Sequence, residues 1–185
     1  MKRLVLLGFS ALLIGGSVWA YIWWHSPAET NQSTAKNATE EVLGTEVALT
    51  NWSTQYFTTR YPTDLRIITS NEVTHGLTSG QYLLGSTSPT HTDQLGVTVG
   101  NLDALTFEEL PAIKLRLQKS DVYQPVKLSF APQGAVAFTA QDAYEMSVFW
   151  HQDTRYAAVV VSGSSARQAQ LQQALEAAVT NWQWK

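Results

Sequence analysis

Residues 52–185 predict an α+β fold, an antiparallel β-sheet flanked by helices, preceded by one N-terminal transmembrane helix. Three observations carry that expectation. From Trp52 onward, apolar residues alternate in short runs broken by turn residues, the mark of antiparallel strands. Only two stretches have helical spacing, one between strands and one after them, which excludes a doubly wound parallel sheet. Residues 4–24 hold no charge.

The apolar leader comes first. At about 1.5 Å per residue, a helix from Leu4 to Trp24 covers about 30 Å, one hydrocarbon core. Lys2 and Arg3 precede it, so the positive-inside rule places residues 1–3 in the cytoplasm and the rest of the chain outside. Val18 and Ala20 also fit a signal-peptidase site, which gives a secreted, cleaved form as the alternative. Trp19, Tyr21, Trp23 and Trp24 favour an uncleaved signal anchor, because they continue the run and form an interfacial aromatic belt. Ala11 and Gly15 make an isolated small-xxx-small pair, read as ordinary small residues of a monomeric anchor.

Residues 25–51 form the linker. Ala28–Glu41 has no aromatic residue and no aliphatic larger than alanine, so it buries too little apolar surface to offset its ordering entropy. A short helix at Ala38–Leu43, ended by Gly44, is the exception allowed there. Asn31, Asn37 and Asn51 begin Asn-x-Ser/Thr sequons, which chance explains in a chain so rich in these residues.

In the folded part the strands are expected at Thr54–Thr59, Leu65–Ser70, Gln81–Ser86, Leu95–Asn101, Tyr123–Phe130, Ala135–Thr139, Ala143–Gln152 and Arg155–Ser162. Tyr61 with Pro62, Pro132–Gly134, and Asp153 with Thr154 mark turns. The two residues between Gln152 and Arg155 define a hairpin. Thr106 and Glu109 make a capping box before Leu110, Ile113 and Leu117, which share a helical face. Pro111 interrupts that helix, so it either kinks there or starts afresh with Pro111 in its first turn. Ser165 and Gln168 make a second capping box. Behind it Leu171, Ala174, Leu175, Ala178, Val179 and Trp182 form an apolar stripe, with Gln168, Gln170, Gln172, Gln173 and Glu176 on the wet side.

The composition excludes several classes. With no cysteine there is no disulfide framework, thiolate metal site or cysteine nucleophile. A net charge of −3 argues against a nucleic-acid binder, which needs a basic face to displace counterions from phosphates. Of His25, His75, His91 and His151, only His91 has a nearby carboxylate, Asp93, and two ligands fall short of a zinc site. Ser162, Ser164 and Ser165 lack the Gly-x-Ser-x-Gly elbow and read as helix capping. The helix start beside them carries Arg167 and free amides, which any capped helix offers a small anion. Gly96 and Gly100 bracket a strand, not a phosphate loop. Glu108 with Glu109 reads as a macrodipole pair and Asp142 with Glu145 as solvated acids, rather than a glycosidase couple. Trp182 and Trp184 read as core or edge cover. No catalytic, cofactor-binding or metal-ligating residue emerges, and no cofactor is expected.

The motifs in hand resemble the PsbP-like family. The resemblance rests on an opening aromatic strand with a Tyr-Pro turn (Tyr56, Phe57, Tyr61, Pro62 and Leu65), a Gly-x-x-Ala element (Gly134 and Ala137), a Tyr- and Val-rich strand (Tyr156–Ser162) and a closing aromatic pair (Trp182 and Trp184). Leu65 stands where the family usually has Trp. The resemblance implies a docking role with no shared catalytic residues. The photosystem and Ran binding of particular members has no counterpart in these residues.

The functional expectation is a non-enzymatic, membrane-anchored extracytoplasmic domain, single-pass through residues 4–24, that binds a protein or stabilises an envelope complex. A small-ligand carrier or sensor domain is the alternative. An exposed apolar patch favours docking, a closed apolar cavity favours carriage, and a His–carboxylate–hydroxyl cluster would favour hydrolysis.

Overall fold

The computed structural model describes residues 47–73, 79–140 and 144–185. The anchor with its Ala11/Gly15 pair, most of the linker, His25, His75 and Asp142 lie outside the described residues. No helix among the described residues is long and apolar enough to cross a membrane.

The described residues form antiparallel sheets with two α-helices. Strands β1 (Leu49–Ser53), β2 (Phe57–Pro62) and β10 (Gln183–Trp184) form a small sheet in the order β1-β2-β10. Strands β3 (Leu65–Val73), β4 (Ser79–Ser86), β5 (Gln94–Asn101), β6 (Tyr123–Val126), β7 (Val136–Ala140), β8 (Tyr144–Gln152) and β9 (Arg155–Gly163) form the large one, in the order β3-β4-β5-β9-β8-β7-β6. Helix α1 spans Pro111–Gln118 and α2 spans Gln168–Thr180.

Alternation along the central strands decides what each face holds. Ala157, Val159 and Val161 of β9, with Met146, Val148 and Trp150 of β8, join Leu171, Ala174, Leu175 and Ala178 of α2 in the main core. Trp52 and Phe57 of the small sheet complete that core, and the Thr59 hydroxyl donates to the Ala178 carbonyl at 2.6 Å. On the opposite face, Phe138, Phe149 and Ala158 meet Phe107, Leu110 and Ile113 in a second cluster beneath α1.

Several boundaries differ from expectation, each for a local reason. Strand β1 takes in Leu49, Thr50 and Asn51, assigned above to the linker, because they pair with Pro62, Tyr61 and Arg60. The first turn falls at Thr54–Tyr56, where the Thr54 hydroxyl accepts from the Tyr56 and Phe57 amides at 3.1 and 3.2 Å. Tyr61 and Pro62 are therefore strand, and the turn that follows is Thr63–Asp64. Pro62 is tolerated because it closes the strand, beyond the pairing of β10 with residues 57 and 58.

Helix α1 starts afresh, with Pro111 in its first turn and Phe107–Glu109 forming a separate 3-10 turn. Leu110 and Ile113 are buried, whereas Leu117, in the last turn of the helix, is 56% exposed. The strand expected over Tyr123–Phe130 stops at Val126. Ser164, not Ser165, caps the last helical segment, its hydroxyl accepting from the Ala166 amide at 3.3 Å, because a 3-10 turn at Ser165–Arg167 precedes α2. Trp182 lies beyond the end of α2, and β10, too short for a periodic signal, was not expected. The β8–β9 hairpin matches expectation: Gln152 pairs with Arg155, and Asp153 takes the left-handed φ of +54° that such a tight connection favours.

Candidate interaction surface

The polar clusters are considered first. Asp93 ends the loop before β5, which the Ser86 amide ties down by donating to the Asp93 carbonyl at 2.9 Å. Its carboxylate is buried and meets Arg167 Nε, while Arg167 Nη2 donates to Asp64 Oδ2 at 3.0 Å. Asp93 is therefore engaged with Arg167 rather than with His91, which is exposed. The guanidinium that would have attracted an anion is held between two carboxylates instead. The hollow bounded by this trio, Pro62, Leu65 and Leu171 measures about 40 Å³. It has room for about three waters at roughly 10–15 Å³ each, whereas organic ligands occupy pockets of about 300–1,000 Å³.

Beneath α1, Arg116 Nη2 donates to Glu145 Oε1 at 2.7 Å, and the guanidinium lies 5.0 Å from the Tyr123 ring centre and 5.1 Å from that of Phe149. Glu145 is thus an ion-pair partner rather than a solvated acid. Glu109 accepts from the Thr106 amide at 2.9 Å. That backbone hydrogen bond, then the Thr106 hydroxyl and Lys114, hold its carboxyl below the ordinary carboxylate range. This is the helix-start role read from the sequence.

His151 lies exposed, with its ring 4.8 Å from that of Phe107. Among the described residues no three His, Asp or Glu gather as a metal site. An open cleft of about 530 Å³ is lined by Tyr56, Asn101, Thr154, Arg155, Trp184 and Lys185 among others. Its cations are turned onto their own chain: Arg155 stacks 4.9 Å from the Trp184 ring centre and donates to the Lys185 carbonyl at 2.6 Å, and the Lys185 ammonium donates to the Ser53 hydroxyl at 2.8 Å.

The aromatic residues that carried the family resemblance converge. Trp182 stacks on Phe57 at 4.1 Å and meets Trp150 and Trp184 edge-on at 5.0 and 5.3 Å. Trp52 meets Phe57 and Tyr61 edge-on at 5.1 and 5.7 Å. These contacts lock the small sheet to the core, as expected of core cover.

The exposed large apolar residues among those described are Ile67, Ile68, Leu105, Leu115 and Leu117. Ile67 and Ile68 adjoin on β3, an edge strand of the large sheet that pairs with β4 alone among the described residues. A bulge between Ile67 and Thr69 explains why consecutive residues, which a regular strand points to opposite faces, are both exposed, at 45% and 57%. Sequence reading recorded this strand but not its exposure. The available signal was the pair Ile67-Ile68 itself, since a half-buried strand hides only one of two neighbours.

The chain is similar to the solution structure of cyanobacterial PsbP (CyanoP) from Synechocystis sp. PCC 6803, with a TM-score of 0.45 and 11% identity over 80% of this chain and 98% of that one. No protein-family model and no curated protein matches it.

The other edge of the large sheet is built differently. Strand β6 has four residues and carries Pro125, which has no amide to offer a neighbour. The nine-residue β3 has no proline, and Arg66–Ser70 are exposed in an unbroken run. Among the described residues both edges are modified, β6 by its shortness and Pro125, and β3 by its bulge and Arg66.

Proposed function

We propose that the chain is a non-enzymatic, PsbP-like module, tethered to the cell membrane through residues 4–24, whose extracytoplasmic folded part binds another protein and stabilises an envelope complex. The observation that carries this reading is the exposed pair Ile67-Ile68 on β3, an edge strand of the large sheet among the described residues. Such residues are costly to leave in water, and their usual use is an interface. The polar clusters add to it, because Arg116 with Glu145, and Arg167 with Asp64 and Asp93, are satisfied within the chain. The tether rests on the uncharged leader and its aromatic belt, the orientation on Lys2 and Arg3. The family assignment rests on the quoted motifs, whose aromatic members Phe57, Tyr61, Trp182 and Trp184 are brought together in the fold.

The test is made on native membranes. The full chain is expected in the membrane fraction, resistant to extraction by alkaline carbonate, with residues 52–185 digested only by protease added on the outer side. Chemical crosslinking is expected to join it to one recurrent protein partner. Recovery of the chain only as a soluble form beginning near Tyr21 would remove the tether, and steady turnover of a substrate that one side-chain change abolishes would remove the non-enzyme reading.

A further inference from the structure

We propose that the open cleft between the small sheet and the tip of the β8–β9 hairpin is a binding site for a neutral oligosaccharide. Tyr56 and Trp184 supply its stacking surface, and Gln55, Asp153, Thr154 and Arg155 are the hydrogen-bonding partners of the sugar hydroxyls. This goes beyond the protein-binding reading and does not depend on it.

Four segments far apart in the chain line the cleft: the turn after β1, the end of β5, the β8–β9 turn and the chain at β10. Backbone hydrogen bonds tie them together. The Lys185 amide donates to the Tyr56 carbonyl at 3.0 Å, the Leu102 amide just past β5 donates to the Thr154 carbonyl at 2.7 Å, and β10 pairs with Thr58 and Phe57. The Trp184 ring is held by Trp182, edge-on at 5.3 Å, and by the Arg155 guanidinium 4.9 Å from its centre. The walls therefore stand in place before a ligand arrives, which lowers the ordering cost of binding. The volume of about 530 Å³ lies within the roughly 300–1,000 Å³ that organic ligands occupy.

The chemistry of the lining selects the ligand. An Asp153 carboxylate only accepts hydrogen bonds, the Arg155 guanidinium only donates, and the Gln55 amide and Thr154 hydroxyl do both. The Gln55, Asp153 and Thr154 side chains are exposed and make no hydrogen bond or ion pair among the described residues, and Arg155 donates from Nη1 alone, to the Lys185 carbonyl at 2.6 Å. An anion entering the cleft meets Asp153, and a cation meets Arg155 and the Lys185 ammonium, so neither sign of charge is favoured. A hydroxyl donates and accepts without net charge and fits both kinds of partner. The rings of Tyr56 and Trp184 add electron-rich faces for the C–H bonds of a sugar ring, at a low entropy cost. A peptide also donates and accepts, but it is anchored by apolar side chains in pockets, and Val99 is the one aliphatic residue among the described residues of the lining. The cleft is open rather than enclosed, which suits a chain of sugars better than a single one.

The experiment titrates the full chain, labelled with fluorotryptophan and held in lipid nanodiscs, with the neutral tetrasaccharides of glucose, mannose, galactose and N-acetylglucosamine. Fluorine NMR reads the Trp184 signal, assigned by its loss in Trp184→Phe, and the signal of the buried Trp52, assigned likewise. The expected result is that at least one tetrasaccharide shifts the Trp184 signal saturably and leaves that of Trp52 in place. Asp153→Asn removes a charged acceptor and is expected to weaken this binding roughly tenfold, and Gln55→Ala roughly threefold. Asparagine accepts the left-handed φ of +54° found at Asp153, so the first variant keeps the turn. Gln172→Ala, on the wet side of α2, is expected to leave the affinity unchanged. Unchanged thermal unfolding of each variant certifies the fold. No saturable shift from any of the four sugars overturns the proposal, and so does an affinity that Asp153→Asn and Gln55→Ala leave untouched. A shift produced by the uncharged peptide acetyl-Ala-Ser-Ala-Ser-amide or by inorganic phosphate, but by no sugar, assigns the cleft to another ligand and also overturns it. A missing protein crosslink in native membranes counts against the protein-binding reading and leaves this one standing.

Discussion

Arg167 binds Asp93 through Nε in an ion pair whose acid is 3% exposed, and the other Asp93 oxygen, Oδ1, is buried without a hydrogen-bond donor. The same guanidinium reaches Asp64 just before β3, so one side chain joins the start of β3, the loop before β5 and the start of α2. Removing the cation strands a buried carboxylate, which is worse than removing the whole pair. Arg167→Met is expected to lower stability by about 2–4 kcal/mol, and the double change Arg167→Met with Asp93→Leu by less than the single one. Urea unfolding of the two variants checks it, and equal losses would contradict the buried-charge explanation.

Gly163 closes β9 against the same carboxylate. A Cβ there would stand 2.6 Å from Asp93 Oδ1 and 3.0 Å from Leu171 Cδ1, and neither neighbour is a mobile chain end, since Arg167 holds the first and the core holds the second. Gly163→Ala is expected to cost about 1–3 kcal/mol through this overlap. In an Asp93→Ala background the closest clash disappears, so the added cost of the alanine shrinks. A double-mutant cycle by chemical denaturation measures that coupling.

How far the fold was legible in the sequence depends on the kind of signal. The β8–β9 hairpin and the buried stripe of α2 were readable because period and turn chemistry agree locally. The capping position of Ser164 and the exposure of Leu117 were not. The first depends on where a 3-10 turn gives way to an α-helix, and the second on what the last turn of α1 packs against, which no local period specifies. Strand β10 escaped because two residues carry no periodicity; its pairing with Thr58 and Phe57 comes from the far end of the domain. The Asp64–Arg167–Asp93 contact was equally invisible, as it joins groups 74 and 103 positions apart. Ile67 and Ile68 were visible as residues, yet their exposure follows from strand order, which no local pattern specifies.

Burial of three tyrosines makes the stability of the fold depend on pH in the alkaline range. Burial raises the phenol pKa of Tyr123, Tyr144 and Tyr156 above the ordinary 10.0, with Glu145 adding to it at Tyr123 and Asp103 at Tyr156. A raised folded pKa means that the unfolded chain loses its protons first. Stability is therefore intact below about pH 10 and falls as pH rises from there through the folded values. Tyr156→Phe is expected to flatten that fall, as read from unfolding midpoints on either side of pH 10. Tyr144→Phe also removes a buried hydroxyl that has no hydrogen-bond partner, so at neutral pH it is expected to leave stability unchanged or raise it by about 1 kcal/mol.

Trp182 carries the closure of the domain. It follows α2, stacks on Phe57 from the small sheet and meets Trp150 from the large one, so a single ring touches three elements. Trp184, two residues on, is also partly buried, but it meets Trp182 edge-on and is covered on one face by Arg155 instead of the core. Truncation of an aromatic ring at such a junction loses its apolar burial and leaves a cavity between layers that cannot all collapse onto it. Trp182→Ala is expected to cost about 3 kcal/mol, and Trp184→Ala about 1 kcal/mol, because most of what Trp184 touches stays in place without it. Unfolding followed by far-ultraviolet circular dichroism, which does not depend on the tryptophans themselves, separates the two values. If Trp184→Ala proves as damaging as Trp182→Ala, the small sheet is held by the β10 pairing and its Arg155 cover, not by the stack on Phe57.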